Sequence, residues 1–246
     1  MKIPTRHLAP ILLVVTSSSL VSAQTIFDDD MESYTSATAT SINDLSNNST
    51  SNPPFWSRNS FQDGGTAVSV SAGITGASGS RAAILSADFT GATGFWGAQL
   101  RSAASSSAGT ASSFADLTYS FDIQTSAVNG FYLEFTSFDS NFAPTGTFRK
   151  SFTVVSAGVL ETFSGNLGES GWAANPFGFS SDPLALGAPN YSWSVEYGSE
   201  FGWPAGAGNS LQVDQAKFGV VPEPSIASLL LGSICFVFAA TRRRYA

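Results

Sequence analysis

The 246-residue chain is acidic, with 11 basic and 18 acidic residues and a net charge of −7. Its one histidine, His7, and its one cysteine, Cys235, lie near the two termini, so residues 24–221 contain neither imidazole nor thiol. For that central region we exclude a disulfide framework, a zinc site of His and Cys ligands, and catalysis by a Ser-His-Asp triad or a cysteine nucleophile.

The N-terminus has the three parts of a secretory signal peptide. Basic residues precede a short apolar run over residues 8–15, and small residues follow and end at Ala23. The apolar run is too short to be a stable membrane span. We therefore predict a signal helix within residues 1–23, cleavage between Ala23 and Gln24, and export of the remaining chain.

Alternating apolar and polar residues predict strands along residues 24–221. In Asp116–Thr125, "DLTYSFDIQT", every second residue from Leu117 to Ile123 is apolar, which is typical of a half-buried antiparallel strand. We predict one all-β domain over 24–221, a two-sheet antiparallel β-sandwich of the jelly-roll type. Its ten predicted strands are 25–27, 66–70, 81–89, 94–102, 116–125, 131–138, 147–155, 161–167, 191–198 and 210–220.

A turn signal joins the two clearest of these strands. Val128-Asn129-Gly130 separates residues 116–125 from 131–138, and Asn-Gly is a frequent turn sequence between paired antiparallel strands. We predict that the two strands form a hairpin. Three stretches without alternation are predicted loops, and the longest of them is rich in Gly and Pro, as functional loops often are. These stretches are residues 36–54, 102–113 and 168–190.

Acidic residues surround the first predicted strand, and one more lies in the last. Asp28, Asp30 and Glu32 could meet Asp214, because the first and last strands of a jelly roll are commonly neighbours. Calcium accepts six to eight oxygen ligands in flexible geometry, so these four residues are candidate ligands of a structural calcium ion. The alternative is that they are solvated or cap turns. No other cofactor is predicted.

Two tryptophans in Gly/Pro-rich loops are candidates for carbohydrate binding. An exposed indole offers a flat apolar surface to a pyranose ring, and Trp172 and Trp203 lie where burial is least assured. In the alternative, both rings fold back over the ends of the sandwich. The acidic first strand and Val213-Asp214 in the last also weakly resemble jelly-roll carbohydrate-binding modules, some of which hold a calcium ion there.

An enzyme without histidine or cysteine would need paired carboxylates, as glycosidases and lyases use. Glu134 and Glu196 lie on strands, opposite in alternation to Leu133 and Val195, and could line a sheet like the catalytic pair of concanavalin-type glucanases. The short acidic signature of such enzymes is absent. We therefore predict a non-enzymatic protein, with a carboxylate-based glycosidase as the alternative. The other available glutamates are Glu161, Glu169 and Glu200.

The C-terminus carries an apolar run between two prolines and three arginines. Residues 226–240 are apolar, and snorkelling arginine side chains extend this segment toward the roughly 20 residues that a span requires. The arginines are expected on the cytoplasmic side. We predict a transmembrane helix over about 226–241 that anchors the exported domain, and an extended peptide at Pro222-Glu223-Pro224.

These tail residues resemble the PEP-CTERM sorting signal of exported proteins in Gram-negative, often biofilm-forming bacteria. The resemblance implies that an exosortase, a membrane-embedded cysteine protease or transpeptidase, recognises Pro222, Glu223 and Pro224, and that Arg242, Arg243 and Arg244 retain the tail. It also implies a stay at the inner membrane before release to the cell surface or extracellular matrix.

Sorting by this tail would make exopolysaccharide a candidate partner. Nucleic acid is not a predicted partner, because residues 24–221 carry six basic and 17 acidic residues, a charge of −11 that repels polyanions. The alternative for the tail is a plain single-pass anchor.

Overall fold

The computed structural model describes residues 24–32, 57–77, 79–106, 111–175 and 182–221, so the predicted signal peptide and sorting tail lie outside the described residues. Within them the protein is all-β, with two short 3-10 helices and no helix long and apolar enough to span a membrane. The strands are β1 (Gln24–Asp29), β2 (Ser57–Gly65), β3 (Ser69–Thr75), β4 (Ala82–Asp88), β5 (Ala92–Arg101), β6 (Ser105–Ser106), β7 (Leu117–Thr125), β8 (Gly130–Phe138), β9 (Pro144–Thr153), β10 (Glu161–Asn166), β11 (Asn190–Gly198) and β12 (Asn209–Val220).

The strands form two antiparallel sheets. The first sheet has the order β10-β7-β12-β4-β3, and β1 pairs with β12. The second sheet has the order β2-β5-β11-β8-β9, and β6 pairs with β11. Because β12 is 12 residues long, one of its edges accommodates β4 at Asn209–Val213 and β1 at Ala216–Val220. The predicted two-sheet antiparallel β-sandwich is confirmed.

Aromatic side chains from both sheets meet in the core. Alternation turns Phe121 of β7 and Phe218 of β12 inward from the first sheet, and Phe135 of β8 inward from the second. The ring centroid of Phe135 lies 4.3 Å from that of Phe218 and 5.9 Å from that of Phe121. The apolar faces of the two sheets are therefore buried against each other.

The predicted hairpin between residues 116–125 and 131–138 is wrong. β7 pairs with β10 and β12 in the first sheet, whereas β8 pairs with β9 and β11 in the second, so the turn carries the chain from one sheet to the other. β7 and β8 each have an apolar face. These faces point toward each other from opposite sheets, whereas in a hairpin they would lie next to each other in one sheet. The long ladders outweigh the local preference of an Asn-Gly turn.

Two strands were absent from the prediction. β2, "SRNSFQDGG", stands at the end of the second sheet and lacks the apolar alternation of a strand with one face in the core, and β6 has two residues. The predicted loop 168–190 is fastened to β9, because Ala173 exchanges backbone hydrogen bonds with Arg149 and the Thr147 N–H donates to the carbonyl of Asp182. The described parts of this loop thus pair the exposed edge of β9.

Candidate functional site

The outward side of the second sheet carries polar side chains in rows. On β11, Trp193 and Val195 point into the core, so Ser194 and Glu196 point outward. Antiparallel register then aligns outward side chains across neighbouring strands. We call these three rows the polar face. The first row is Ser192, Thr136 and Thr147; the second is Ser57, Arg101, Ser194, Glu134 and Arg149; the third is Asn59, Gln99, Glu196, Tyr132 and Ser151.

The polar face passes from buried to exposed along the strands. The first row is fully buried, and in the second row Arg101 is 5% exposed and Glu134 is 3% exposed. In the third row Glu196 is partly exposed, and Asn59 and Ser151 are exposed. Charged side chains are rarely this buried unless they are paired, and here Arg101 and Arg149 share the second row with Glu134. A ligand would meet the third row first.

Beyond the third row, two phenylalanines form an aromatic platform. Phe61 of β2 lies over Gly97 of β5, where a β-carbon would collide with the Phe61 ring. Phe95 stacks on Phe61 with a centroid distance of 5.2 Å and an interplanar angle of 23°, and it is 44% exposed. Gly198 pairs with Gly97, so the backbone beside the platform is bare.

A second aromatic group lies on the other side of Glu196, on β8 and in the segment after β11. Phe201 packs edge-on against Tyr132 at 4.6 Å, and the Tyr132 hydroxyl donates a hydrogen bond to Glu200. The guanidinium of Arg149 lies 4.1 Å from the centroid of the Tyr132 ring. Phe61, Phe95, Glu200 and Phe201 define the open end of the polar face.

Burial and mutual repulsion shift the acid–base properties of the polar face. Burial lowers the pKa of Arg101 to about 10, against the opposing effect of Glu134. Burial also raises the pKa of Glu134, although Asn175 donates a hydrogen bond to its carboxylate and both arginines stabilise its charge. The polar face therefore holds charge in a poorly hydrated environment.

Glu196 is brought close to titrating at neutral pH. Its pKa is raised to about 7, by burial first and then by the charge of Glu134, while Arg149 lowers it and Glu200 adds a smaller increase. The pKa of Tyr132 is raised to about 12, first by burial and then by its hydrogen bond to Glu200. The third row and open end are thus short of positive charge.

The tryptophans predicted to bind carbohydrate lie away from this face. Trp203 is 3% exposed, packs on Tyr197 at 4.3 Å, and donates its indole N–H to the carbonyl of Gly130 at 2.7 Å. It is therefore a core side chain and not an exposed sugar platform. Trp172 is half-buried, with its ring centroid 5.3 Å from Tyr119 and 5.6 Å from Phe135. Trp203 folds into the core, as the alternative interpretation had it, whereas a sugar contact at Trp172 stays a prediction.

The sequence analysis did not identify Phe61 or Phe95 as candidate binding residues. Phe61 lies in β2, whose polar sequence did not predict a strand, and Phe95 lies in a strand whose pairing with β2 was unknown. Their stacking depends on a register between two strands and on the absence of a side chain at Gly97. No local sequence signal encodes that arrangement.

The first and last strands are neighbours, as the calcium hypothesis required. β1 pairs with β12, and Asp28 forms an ion pair with Lys217 at 3.3 Å. The carboxylate of Glu32 instead accepts backbone hydrogen bonds from Gly79 at 2.6 Å and Arg81 at 2.7 Å. Both carboxylates therefore have protein partners.

Asp214 lies close enough to other acids for its pKa to respond. Burial raises that pKa, and the charges of Asp122, Glu32 and Asp30 raise it further. Within the described ranges, however, no group of three or more His, Cys, Asp or Glu side chains is arranged to hold a metal ion. A structural calcium at Asp28, Asp30, Glu32 and Asp214 stays a prediction of the sequence.

The structure brings Glu134 and Glu196 together on one face, in adjacent strands and adjacent rows. Glu134 is closed off from solvent and hydrogen-bonded to Asn175, whereas Glu196 lies at the opening. The remaining predicted acids are placed elsewhere: Glu161 accepts backbone hydrogen bonds from Val155 and Ser156, and Glu169 pairs with Lys150.

No protein family and no characterised protein matches the chain by sequence. Its structure is similar to the family 11 carbohydrate-binding module of the cellulosomal cellulase Lic26A-Cel5E of Clostridium thermocellum, at 20% identity and a TM-score of 0.43, over 69% of this chain and 91% of that one. It is also similar to a carbohydrate-binding module described as CBM4, at 13% identity and a TM-score of 0.43, over 74% and 98% of the two chains. An exo-β-agarase matches at 12% identity and a TM-score of 0.36, over 84% of this chain and 26% of that one. At these identities and scores, the similarities assign neither a ligand nor an activity to this chain.

Proposed function

We propose that residues 24–221 form an exported domain that binds a polysaccharide at the open end of the polar face without cleaving it. The observation that carries this proposal is the aromatic platform of Phe61 and Phe95 beside a row of hydrogen-bonding side chains. A sugar ring has an apolar face and a rim of hydroxyl groups, so it needs both kinds of surface side by side.

The third row supplies the polar part of such a site. Asn59 and Gln99 carry both donors and acceptors, and Tyr132 adds a hydroxyl, so each could exchange hydrogen bonds with sugar hydroxyls. These side chains project from strands and not from loops, so their spacing is set by the sheet. A preformed site loses less conformational entropy when it binds.

Hydrolysis is the less favoured function of the same face. A glycosidase needs two carboxyl groups that both reach the scissile bond, one on each side of it. Glu134 is 3% exposed and its carboxylate is bonded to Asn175, so it is separated from the opening where Glu196 lies. The structure therefore favours binding over cleavage.

Replacing Phe61 by alanine is expected to weaken polysaccharide binding about tenfold, which corresponds to about 1.4 kcal/mol. Retardation in native gels containing polysaccharide measures the effect on residues 24–221. Leu160→Ala, which removes an exposed apolar side chain between β9 and β10, is the matched control and should bind as the parent does. Unchanged binding by Phe61→Ala would refute this site. Release of reducing sugar that Glu196→Gln abolishes would favour the glycosidase.

We also propose that residues 1–23 are removed on export and that residues 222–246 are a sorting and anchoring segment read by an exosortase-type enzyme. The order of Pro222-Glu223-Pro224, an apolar run and Arg242–Arg244 supports this proposal. The intact mass of the protein from its host should correspond to a chain that starts at Gln24 and lacks part of the tail. A mass that includes both Met1 and Ala246 would contradict both cleavages.

A further inference from the structure

The charges on the polar face are balanced within its three rows and become unequal when Glu200 at the open end is included. Glu134, Glu196 and Glu200 face Arg101 and Arg149, so carboxylates outnumber guanidiniums by three to two. The other four basic residues between 24 and 221 are described by the structure and lie elsewhere. Arg58 alternates to the opposite side of β2, Arg81 bonds to Glu32, Lys150 pairs with Glu169, and Lys217 pairs with Asp28. No further protein cation from this region can therefore balance the face.

The imbalance is located at the open end. Both arginines come from the second row, where Arg149 is directly opposite Glu134, and the guanidinium of Arg149 reaches over the Tyr132 ring in the third row. Glu196 lies one row nearer the solvent, and Glu200 lies beyond it on the exposed segment after β11. The one carboxylate in excess is therefore at the open end, where an incoming ligand would meet Glu196 and Glu200.

Two features, one at the open end and one in the buried row behind it, fit a missing positive group. The pKa of Glu196 is raised to about 7, by burial first and then by Glu134, and Arg149 offsets only part of this increase, to which Glu200 adds. Glu134, 3% exposed, has an oxygen, Oε1, that accepts no hydrogen bond from the residues that the structure describes. Each observation fits a face that lacks a donor and a positive charge.

We propose that the polysaccharide bound here is an amino-sugar polymer with free amines, one of whose ammonium groups binds between Glu196 and Glu200. This inference rests on the polysaccharide-binding function proposed above. An ammonium group offers three N–H donors and one positive charge, which two carboxylates accept, while Phe61 and Phe95 contact the ring. A uronic acid would be repelled, and a neutral sugar would leave the carboxylates without a counter-charge.

Three β-1,4-linked hexasaccharides, of glucose, N-acetylglucosamine and glucosamine, test the inference because they differ at the C2 substituent. Isothermal titration calorimetry on residues 24–221 should give an affinity for the glucosamine hexamer at least about tenfold above the other two. Glu196→Gln and Glu200→Gln, singly, should each reduce that preference to under about threefold. Phe61→Ala should weaken binding of all three sugars.

Asp122→Asn is the matched control, because it removes one carboxylate from the first sheet, where Asp122 accepts a hydrogen bond from Thr162. It should leave the preference for glucosamine unchanged. A preference that survives Glu196→Gln/Glu200→Gln would be diffuse attraction of a polycation to an acidic domain, and would overturn the inference. Equal binding of all three sugars, lost in Phe61→Ala, would overturn the inference while upholding the proposed function. If neither these sugars nor any other polysaccharide bound at Phe61, both the inference and the proposed function would be overturned.

Discussion

Replacing Phe135 by alanine is expected to lower the free energy of unfolding by about 3–5 kcal/mol, the range for truncating a buried aromatic side chain. Phe135 is fully buried and contacts rings from both sheets, with Phe218 at 4.3 Å, Trp172 at 5.6 Å and Phe121 at 5.9 Å. The cavity would open where the two sheets meet, and neighbouring rings held by several other contacts cannot collapse to fill it.

Equilibrium denaturation of residues 24–221 by urea measures this loss. The matched control is Val155→Ala, because Val155 is 77% exposed between β9 and β10. It should change the free energy of unfolding by less than about 0.5 kcal/mol. A loss below about 1 kcal/mol in Phe135→Ala would show that the two sheets do not pack through this ring.

Raising the pH from 5 to 8 is expected to destabilise the protein through Glu196, and Glu196→Gln should remove that loss. The pKa of Glu196 is raised from 4.5 to about 7 on folding, so between these values the folded state holds more protons than the unfolded state. Stability falls with rising pH wherever the folded state binds more protons. Because the side chain is partly exposed, we discount the full shift and expect about 2 kcal/mol.

Urea denaturation of the parent and Glu196→Gln at pH 5 and pH 8 isolates this contribution. The variant should be more stable than the parent at pH 8 and closer to it at pH 5. Glu169→Gln is the opposite control, because hydrogen bonds from Asn166 and Lys150 lower the pKa of Glu169. That carboxylate stabilises the folded state at pH values above the pKa that it has in the unfolded chain. Glu169→Gln should therefore lower the free energy of unfolding at pH 8. If parent and Glu196→Gln differed in stability by the same amount at pH 5 and pH 8, Glu196 would not lose its proton between these pH values, and the prediction would be wrong.

The strands themselves follow from local alternation. In β7 and β11, apolar residues at every second position can form one buried face in an extended chain and not in a helix, so the all-β class is evident from residues such as Phe121 and Trp193. The absence of histidine and cysteine from residues 24–221 likewise needs no structure. Both conclusions depend on residue type and on spacing along the chain.

Tertiary structure decided which strands pair and which side chains share a surface. A turn sequence at 128–130 predicted the wrong partner for β7, because strand pairing depends on the packing of the whole sandwich and not on three residues. Trp203 lies in a Gly/Pro-rich loop, where the sequence predicted an exposed ring, yet its side chain is buried. Burial depends on neighbours distant in sequence.

The candidate site is the clearest case of this dependence. Asn59, Gln99, Glu196 and Tyr132 come from four strands, and a slip of one residue in any of them would move its side chain to the opposite side of the sheet. The sequence by itself determined that these strands exist and that acids without imidazole or thiol lie among them. Register between distant segments decided that the acids, two arginines and the Phe61 platform share one face.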